Sequence, residues 1–157
     1  MALNDLRAQE RGVLIQIASM IMNSAKSLSS WSTKISSSFR ISEVTELPGG
    51  MMISVINNAP EAHAFEHGSG IHGEKGETYV IAPVNAPALV FMGTHEWAGQ
   101  VIVAPPMGGG VVHHPGVGAR PFMNPAVQAN RVQAMEMLKS AVGSSVKMTI
   151  REAWKHA

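Results

Sequence analysis

The chain has 157 residues, of which 45% are hydrophobic and 15% charged, with a formal net charge of +1. Globular proteins carry about 25% charged residues, so the deficit argues against intrinsic disorder and indicates a surface partly covered by partners. The near-zero net charge lacks the basic signature of nucleic-acid-binding proteins. The absence of cysteine excludes disulfides, thiolate metal ligands and thiol nucleophiles, and the one aspartate is Asp5. This composition predicts a single soluble domain over residues 1–157, and no stretch reaches the roughly 18 apolar residues of a membrane span.

The first thirty residues have the pattern of an amphipathic helix. Apolar residues recur at three- and four-residue steps, namely at Leu3, Leu6, Val13, Leu14, Ile17, Met20, Ile21, Ala25 and Leu28. This spacing places them on one helical face, so we predict a helix over about residues 4–27. The sequence leaves open whether the helix is kinked or broken at Gly12. The serine-rich residues 27–38 end the helix.

The middle of the chain has the pattern of short strands separated by turns. Apolar or alternating segments occur at residues 38–44, 51–56, 79–82, 88–92 and 100–104. Residues 47–50, Leu-Pro-Gly-Gly, predict a turn between the first two. No helical pattern lies between the strands, which favours antiparallel pairing. The glycine-rich residues 68–76 and 107–110 predict exposed, mobile loops.

The last third of the chain again has a helical pattern. Asn124 is suited to cap a helix, and Pro125 to occupy its first turn, where a missing N–H costs little. We expect this helix to end at residues 143–145, Gly-Ser-Ser, while residues 146–154 fit either a second helix or a strand-like tail. Together the elements predict an α+β fold: an N-terminal helix, an antiparallel β-sheet with long loops, and a C-terminal helix.

Residues 63–67, His-Ala-Phe-Glu-His, match the H-x-x-E-H pattern of inverted zinc peptidases. That chemistry needs His63 and His67 on one helical face, with Glu66 activating a metal-bound water. Pro60 before the motif and the glycines after it leave room for about two helical turns at most, and no third ligand is evident. A small zinc-dependent hydrolase is therefore an alternative from another functional class, and a short turn with surface histidines is the simpler interpretation.

Other patterns lack residues that their chemistry requires. His113 and His114 are adjacent, so on an extended chain their rings point to opposite faces, which favours an interface or loop-end role. Residues 68–78 are glycine-rich but lack the Gly-Lys-[Ser/Thr] of a phosphate loop, and no G-x-S-x-G occurs. We assign no catalytic residue, metal ligand or cofactor, and predict that the protein is not an enzyme.

Two segments carry a family resemblance. They are residues 57–70, Asn-Asn-Ala-Pro-Glu-Ala-His-Ala-Phe-Glu-His-Gly-Ser-Gly, and residues 112–127, Val-His-His-Pro-Gly-Val-Gly-Ala-Arg-Pro-Phe-Met-Asn-Pro-Ala-Val. Together they resemble the tail-component family of tailed bacteriophages, the tail-completion, neck or head–tail joining proteins. The order and spacing match from about residue 3 to about residue 142. The chain departs from the family pattern at Glu61, where an aromatic residue is usual, and in residues 31–35, which replace an Asp-Thr-Gly-Arg-like stretch.

The resemblance implies a structural virion protein of the neck or tail top, present in the host cytoplasm during assembly. Proteins of this kind form homo-oligomeric rings, commonly six- or twelve-fold, that contact the portal or adaptor, or the tail tube and terminator. DNA passes through such a ring without specific binding. A tail terminator, a portal-side connector and an interaction module without a phage role remain alternatives. The resemblance implies fold or interface roles for Phe65, Glu66, Gly68, Gly70, His113, His114, Arg120, Pro121, Phe122 and Pro125.

Overall fold

The computed structural model describes residues 2–84, 87–92, 99–104 and 111–155. The described chain begins with a long helix, α1 over Ala2–Leu28, and its last element is another, α4 over Met123–Lys155. Short elements lie between them along the sequence. These are α2 (Thr33–Ser37), α3 (Ala62–His67), a 3₁₀ turn (Gly70–His72) and the strands β1 (Phe39–Ile41), β2 (Thr45–Leu47), β3 (Gly50–Met52), β4 (Val55–Asn57), β5 (Tyr79–Ile81), β6 (Leu89–Met92), β7 (Val101–Ala104) and β8 (Val112–His114). The α+β prediction is confirmed. Over the described residues, no helix combines the length and hydrophobicity that a membrane crossing requires.

The structure of the long helices answers one question that the sequence left open and differs from expectation at two points. Helix α1 continues through Gly12 without a break. Helix α4 begins at Met123, so Asn124 lies inside the first turn instead of capping it, and the Ala126 N–H donates to the Phe122 carbonyl at 3.3 Å. Pro125 occupies the first turn as predicted. The predicted end at Gly143 is wrong, because a glycine lowers helix stability by about 1 kcal/mol but does not block helical dihedrals.

The strands pair in four separate two-stranded antiparallel sheets: β1–β4, β2–β3, β5–β8 and β6–β7. The turn predicted at residues 47–50 joins β2 to β3, with Gly49 at φ +89°. The strand predicted at 38–44 ends at Ile41, and the one predicted at 51–56 is interrupted between β3 and β4. Between the two ladders, residues 42–44 lie opposite only residues 53–54. Such a mismatch is a bulge. The predicted loop at 107–110 lies outside the described residues.

Contacts group the chain into two compact units, one of Met1–Ala62 with Pro121–Ala157 and the other of His63–Arg120. The single domain expected over residues 1–157 stays a prediction. In the first unit α1 contacts α4, and the buried residues along both helices are mostly small: Ala18, Ala25, Ala126 and Ala141. Small side chains let helix axes approach closely.

The same helices are joined by a buried polar contact at Asn130. Its side-chain amide donates to Ser24 Oγ at 2.8 Å and to the Ala126 carbonyl at 2.7 Å. Both amide protons are therefore satisfied, so burial of this side chain carries no unpaired-donor cost. The contact aligns α1 and α4 more specifically than apolar packing alone, because hydrogen bonds require a particular distance and angle.

Candidate interaction site

The two segments that carry the family resemblance meet in the second unit, where residues 69–71 lie against residues 115–117. The Ser69 N–H donates to the Val117 carbonyl at 2.9 Å, and the Ile71 N–H donates to the Pro115 carbonyl at 2.8 Å. In return, the Val117 N–H donates to Ser69 Oγ at 3.1 Å. We call residues 68–71 with 115–117 the glycine junction. The sequence indicated a mobile loop here, but these bonds tie it to a distant part of the chain.

Three glycines make this close approach possible. Gly68, Gly70 and Gly116 have φ values of +78°, +60° and +92°, in the left-handed region that favours glycine. A Cβ at Gly70 would overlap the Pro115 carbonyl, and one at Gly116 would overlap the Ser69 carbonyl. Two of these glycines were identified from the sequence. Gly116 was not, although its position after Pro115 is a common turn signal.

Phe65 and Arg120 connect the segments a second time. The Arg120 N–H donates to the Phe65 carbonyl at 2.6 Å, in the last turn of α3. Phe65 and Glu66 are half-buried, whereas the Arg120 side chain is exposed. A helix leaves its last carbonyls without intrahelical partners, so this bond supplies one from outside the helix. The pairing of the two segments is thus carried mainly by backbone atoms.

The predicted histidines 113 and 114 lie on β8 and point to opposite sides, as expected. The His114 ring is half-buried and stacks on Tyr79 of the paired strand at a centroid distance of 4.8 Å. Its Nδ1 accepts the Gly116 N–H at 2.9 Å, which connects the strand to the glycine junction. His113 is exposed. These contacts assign His114 a fold role and leave His113 available at the surface.

The last three predicted residues lie in the first unit. Phe122 is 1% exposed and meets Phe39 edge-to-face, with ring centroids 5.8 Å apart. Pro121 is exposed, and Pro125 is half-buried. Phe122 therefore anchors the start of α4 in the core of the first unit, which is a fold role.

The H-x-x-E-H motif forms part of helix α3. His63 and His67 are both exposed, and their rings lie on the same face with centroids 4.7 Å apart. Among the described residues, no group of three or more His, Cys, Asp or Glu side chains is placed to hold a metal ion. The motif therefore brings together two imidazoles, and the third protein ligand of the hydrolase hypothesis is not found in the described part of the chain.

An exposed apolar surface on the β6–β7 hairpin was not identified from the sequence. The register pairs Val90 with Val103 and Met92 with Val101, which places all four side chains on one face. Each is more than half exposed, with fractions between 55% and 64%. We call these four residues the hairpin face. The sequence did contain an indication of such an apolar surface, because residues 79–112 include one charged side chain, Glu96.

The first unit contains a cavity of about 420 Å³ between α1, the β2–β3 hairpin and α4. Its apolar lining includes Leu14, Met51 and Leu138. At its rim Arg7 and Glu46 form an exposed ion pair at 3.1 Å. A screened surface pair of this kind contributes about 0–1 kcal/mol, so it adds little to the stability of the unit.

No protein-family model, curated protein or solved structure compared with this chain matches it significantly.

Proposed function

We propose that the protein is a structural virion component of a tailed bacteriophage: a ring subunit that completes the tail or joins the head to it. The proposal draws on the resemblance of residues 57–70 and 112–127 to the tail-component family. The glycine junction supports it, because residues of both resembling segments form one hydrogen-bonded structure. Two resembling segments that contact each other in the fold support a family resemblance more strongly than two segments that lie apart.

The observation that carries the proposal is the hairpin face. Val90, Met92, Val101 and Val103 expose an apolar surface with no charged residue in either strand. Within the described residues β6 and β7 pair only with each other, so each also has a free edge. Two-stranded hairpins are marginally stable alone in water, and exposed apolar strands with free edges favour pairing with another chain. A neighbouring copy in a ring would cover this surface.

The charge balance is compatible with a ring through which DNA passes. The net charge of +1 provides little attraction for the phosphate backbone, whose binding strengthens with each neutralised phosphate. In this proposal the protein contacts itself within the ring, and the portal or adaptor, or the tail tube and terminator, on the two ring faces. A tail terminator or portal-side connector would use the same ring with a different neighbour.

Native mass spectrometry of the purified protein, with negative-stain imaging, tests the ring. We expect a closed assembly of six or twelve copies, alone or after addition of portal or tail proteins. A protein that stays monomeric at all concentrations and with each of these partners would contradict the proposal. Binding to tail tube alone, or to portal alone, would distinguish the terminator from the connector.

A paired variant tests the surface itself. Val90→Glu with Val103→Glu places two like charges opposite each other on the hairpin face, which disfavours its burial. We expect this variant to shift the assembly towards monomer. Val132→Glu is the matched control, because Val132 is 71% exposed on α4. Rings formed equally well by the paired variant and by the control would exclude the hairpin face as the subunit contact.

A further inference from the structure

The geometry points to a second property, independent of ring formation: His63 and His67 form a two-imidazole chelate for a divalent transition-metal ion. The two residues are four apart on α3, which is the spacing that brings side chains together on one helical face. Both rings are exposed, so an ion from solvent can reach them without a change in packing. Unlike the hydrolase hypothesis, this chelate needs neither a third protein ligand nor a role for Glu66.

The distance between the rings fits joint coordination. Imidazole nitrogens bind Zn²⁺ at about 2.0–2.1 Å, which for angles near 90–109° at the metal places the ring centroids about 4.5–5.3 Å apart. The observed centroid distance is 4.7 Å, and the ring planes are inclined by 48°. Each ring can rotate about its metal–nitrogen bond, so the inclination is compatible with chelation.

The end of α3 is held in place, which limits the cost of bringing the ligands together. Gly68, the residue after His67, has φ +78°, the left-handed conformation that commonly ends helices. The Phe65 carbonyl accepts the Arg120 N–H, which anchors the last turn to residue 120. A six-residue helix is marginal without such anchors. With them, the backbone of both ligands is ordered before the ion arrives.

The donor set determines which ion binds. Two neutral nitrogen ligands suit Cu²⁺, Ni²⁺ and Zn²⁺, whereas Ca²⁺ and Mg²⁺ prefer oxygen ligands. The remaining coordination positions are open to water or to a donor from another molecule, including a second copy of this chain. We therefore expect binding in the order Cu²⁺ above Ni²⁺ and Zn²⁺, with no detectable binding of Mg²⁺.

Isothermal titration calorimetry of the full chain with Ni²⁺ and with Zn²⁺ tests the site. We expect one ion per chain, or one per two chains if a second copy completes the coordination. Joining two ligands raises affinity by about 10²–10⁴ over either alone, so His63→Ala and His67→Ala should each weaken binding roughly a hundredfold. The matched control is His72→Ala, which removes an exposed histidine of the neighbouring 3₁₀ turn.

Equal affinities for the wild type, His63→Ala and His67→Ala would overturn the proposal, as would a wild type that binds neither ion. Far-ultraviolet circular dichroism shows whether each variant is folded. If His67→Ala is not, the second pair of variants His63→Gln and His67→Gln keeps a polar side chain at each position while removing the imidazole. Loss of binding in folded variants of both positions, with retention in His72→Ala, is the supporting result.

Discussion

Ser69 and Val117 are joined by two hydrogen bonds of opposite direction. The Ser69 N–H donates to the Val117 carbonyl at 2.9 Å, and the Val117 N–H donates to Ser69 Oγ at 3.1 Å. The residues are 48 positions apart in the chain, and the long β6–β7 excursion lies between them. This pair, together with the β5–β8 ladder, brings the two ends of the intervening segment together.

Gly116→Ala should disrupt the glycine junction. The new Cβ would overlap the Ser69 carbonyl, and φ +92° is strained for alanine. Positive φ alone costs about 1–3 kcal/mol, and the overlap adds to it. We expect the Ser69 and Ile71 amides to lose protection from hydrogen exchange. Gly118→Ala is the control, because nothing lies within 4 Å of its added Cβ. Equal protection in both variants would show that the junction tolerates the strain.

Phe122→Ala should destabilise the first unit. The ring is 1% exposed and contacts Phe39 edge-to-face, so its removal leaves a cavity in the core. Phenylalanine-to-alanine substitutions in cores lower the free energy of unfolding by about 3–5 kcal/mol. Chemical denaturation of the purified protein measures this change. Val127→Ala, at a 41% exposed position of α4, should change it far less. A loss of similar size in both variants would contradict the anchoring role of Phe122.

Gly143→Ala should stabilise the protein. Gly143 lies inside α4, and an added Cβ meets nothing within 4 Å. Alanine in a helix interior is favoured over glycine by about 0.5–1 kcal/mol. The melting temperature should therefore rise. Gly49→Ala should instead lower the melting temperature, because φ at Gly49 is +89° although its surroundings are equally open. If Gly143→Ala lowers the melting temperature, α4 does not continue through residue 143 in solution.

Glu61 should give the protein a small dependence of stability on pH. Lys34 Nζ lies 2.9 Å from Glu61 Oε2, and this hydrogen bond lowers the pKa of the Glu61 carboxyl below its ordinary value of 4.5. Because the pKa is lower in the folded state, the contribution is complete above the unfolded pKa and is lost as pH falls through the folded pKa. Lys34→Met should therefore lower the melting temperature at neutral pH and have no such effect in strong acid.

The control for this variant is Lys139→Met, which removes one exposed positive charge from α4. Its effect on the melting temperature should not share the acid dependence expected for Lys34→Met. An NMR titration that finds the Glu61 carboxyl at its ordinary pKa would contradict the assigned ion pair. The pair lies at the surface, so the change should be much smaller than that of Phe122→Ala.

The sequence located α1 and three of the strands, but it missed the short elements α2, β2 and β8. Apolar spacing at three and four residues locates α1 because every turn repeats the same information. Strands β5, β6 and β7 were also predicted to within one residue at each end, whereas α2, β2 and β8 are three to five residues long and have no repeated pattern. Strand β8 was missed for this reason, although His113 and His114 were correctly placed on an extended chain. The Gly-Ser-Ser pattern at residues 143–145 indicated the wrong end for α4, because glycine and serine lower helix stability without blocking helical dihedrals.

Part of the candidate site could likewise be predicted from the sequence, and part could not. The family resemblance named Phe65, Gly68, Gly70 and Phe122 as candidate fold or interface residues, and helical spacing alone placed His63 beside His67. The pairing of Ser69 with Val117, and the exposure of Val90 and Val103, depended on the tertiary structure. Periodicity and turn chemistry act over a few residues, so they can be recognised in the amino-acid sequence. Which distant backbone groups bond, and which apolar face stays exposed, is decided only when segments far apart in sequence compete for the same partners.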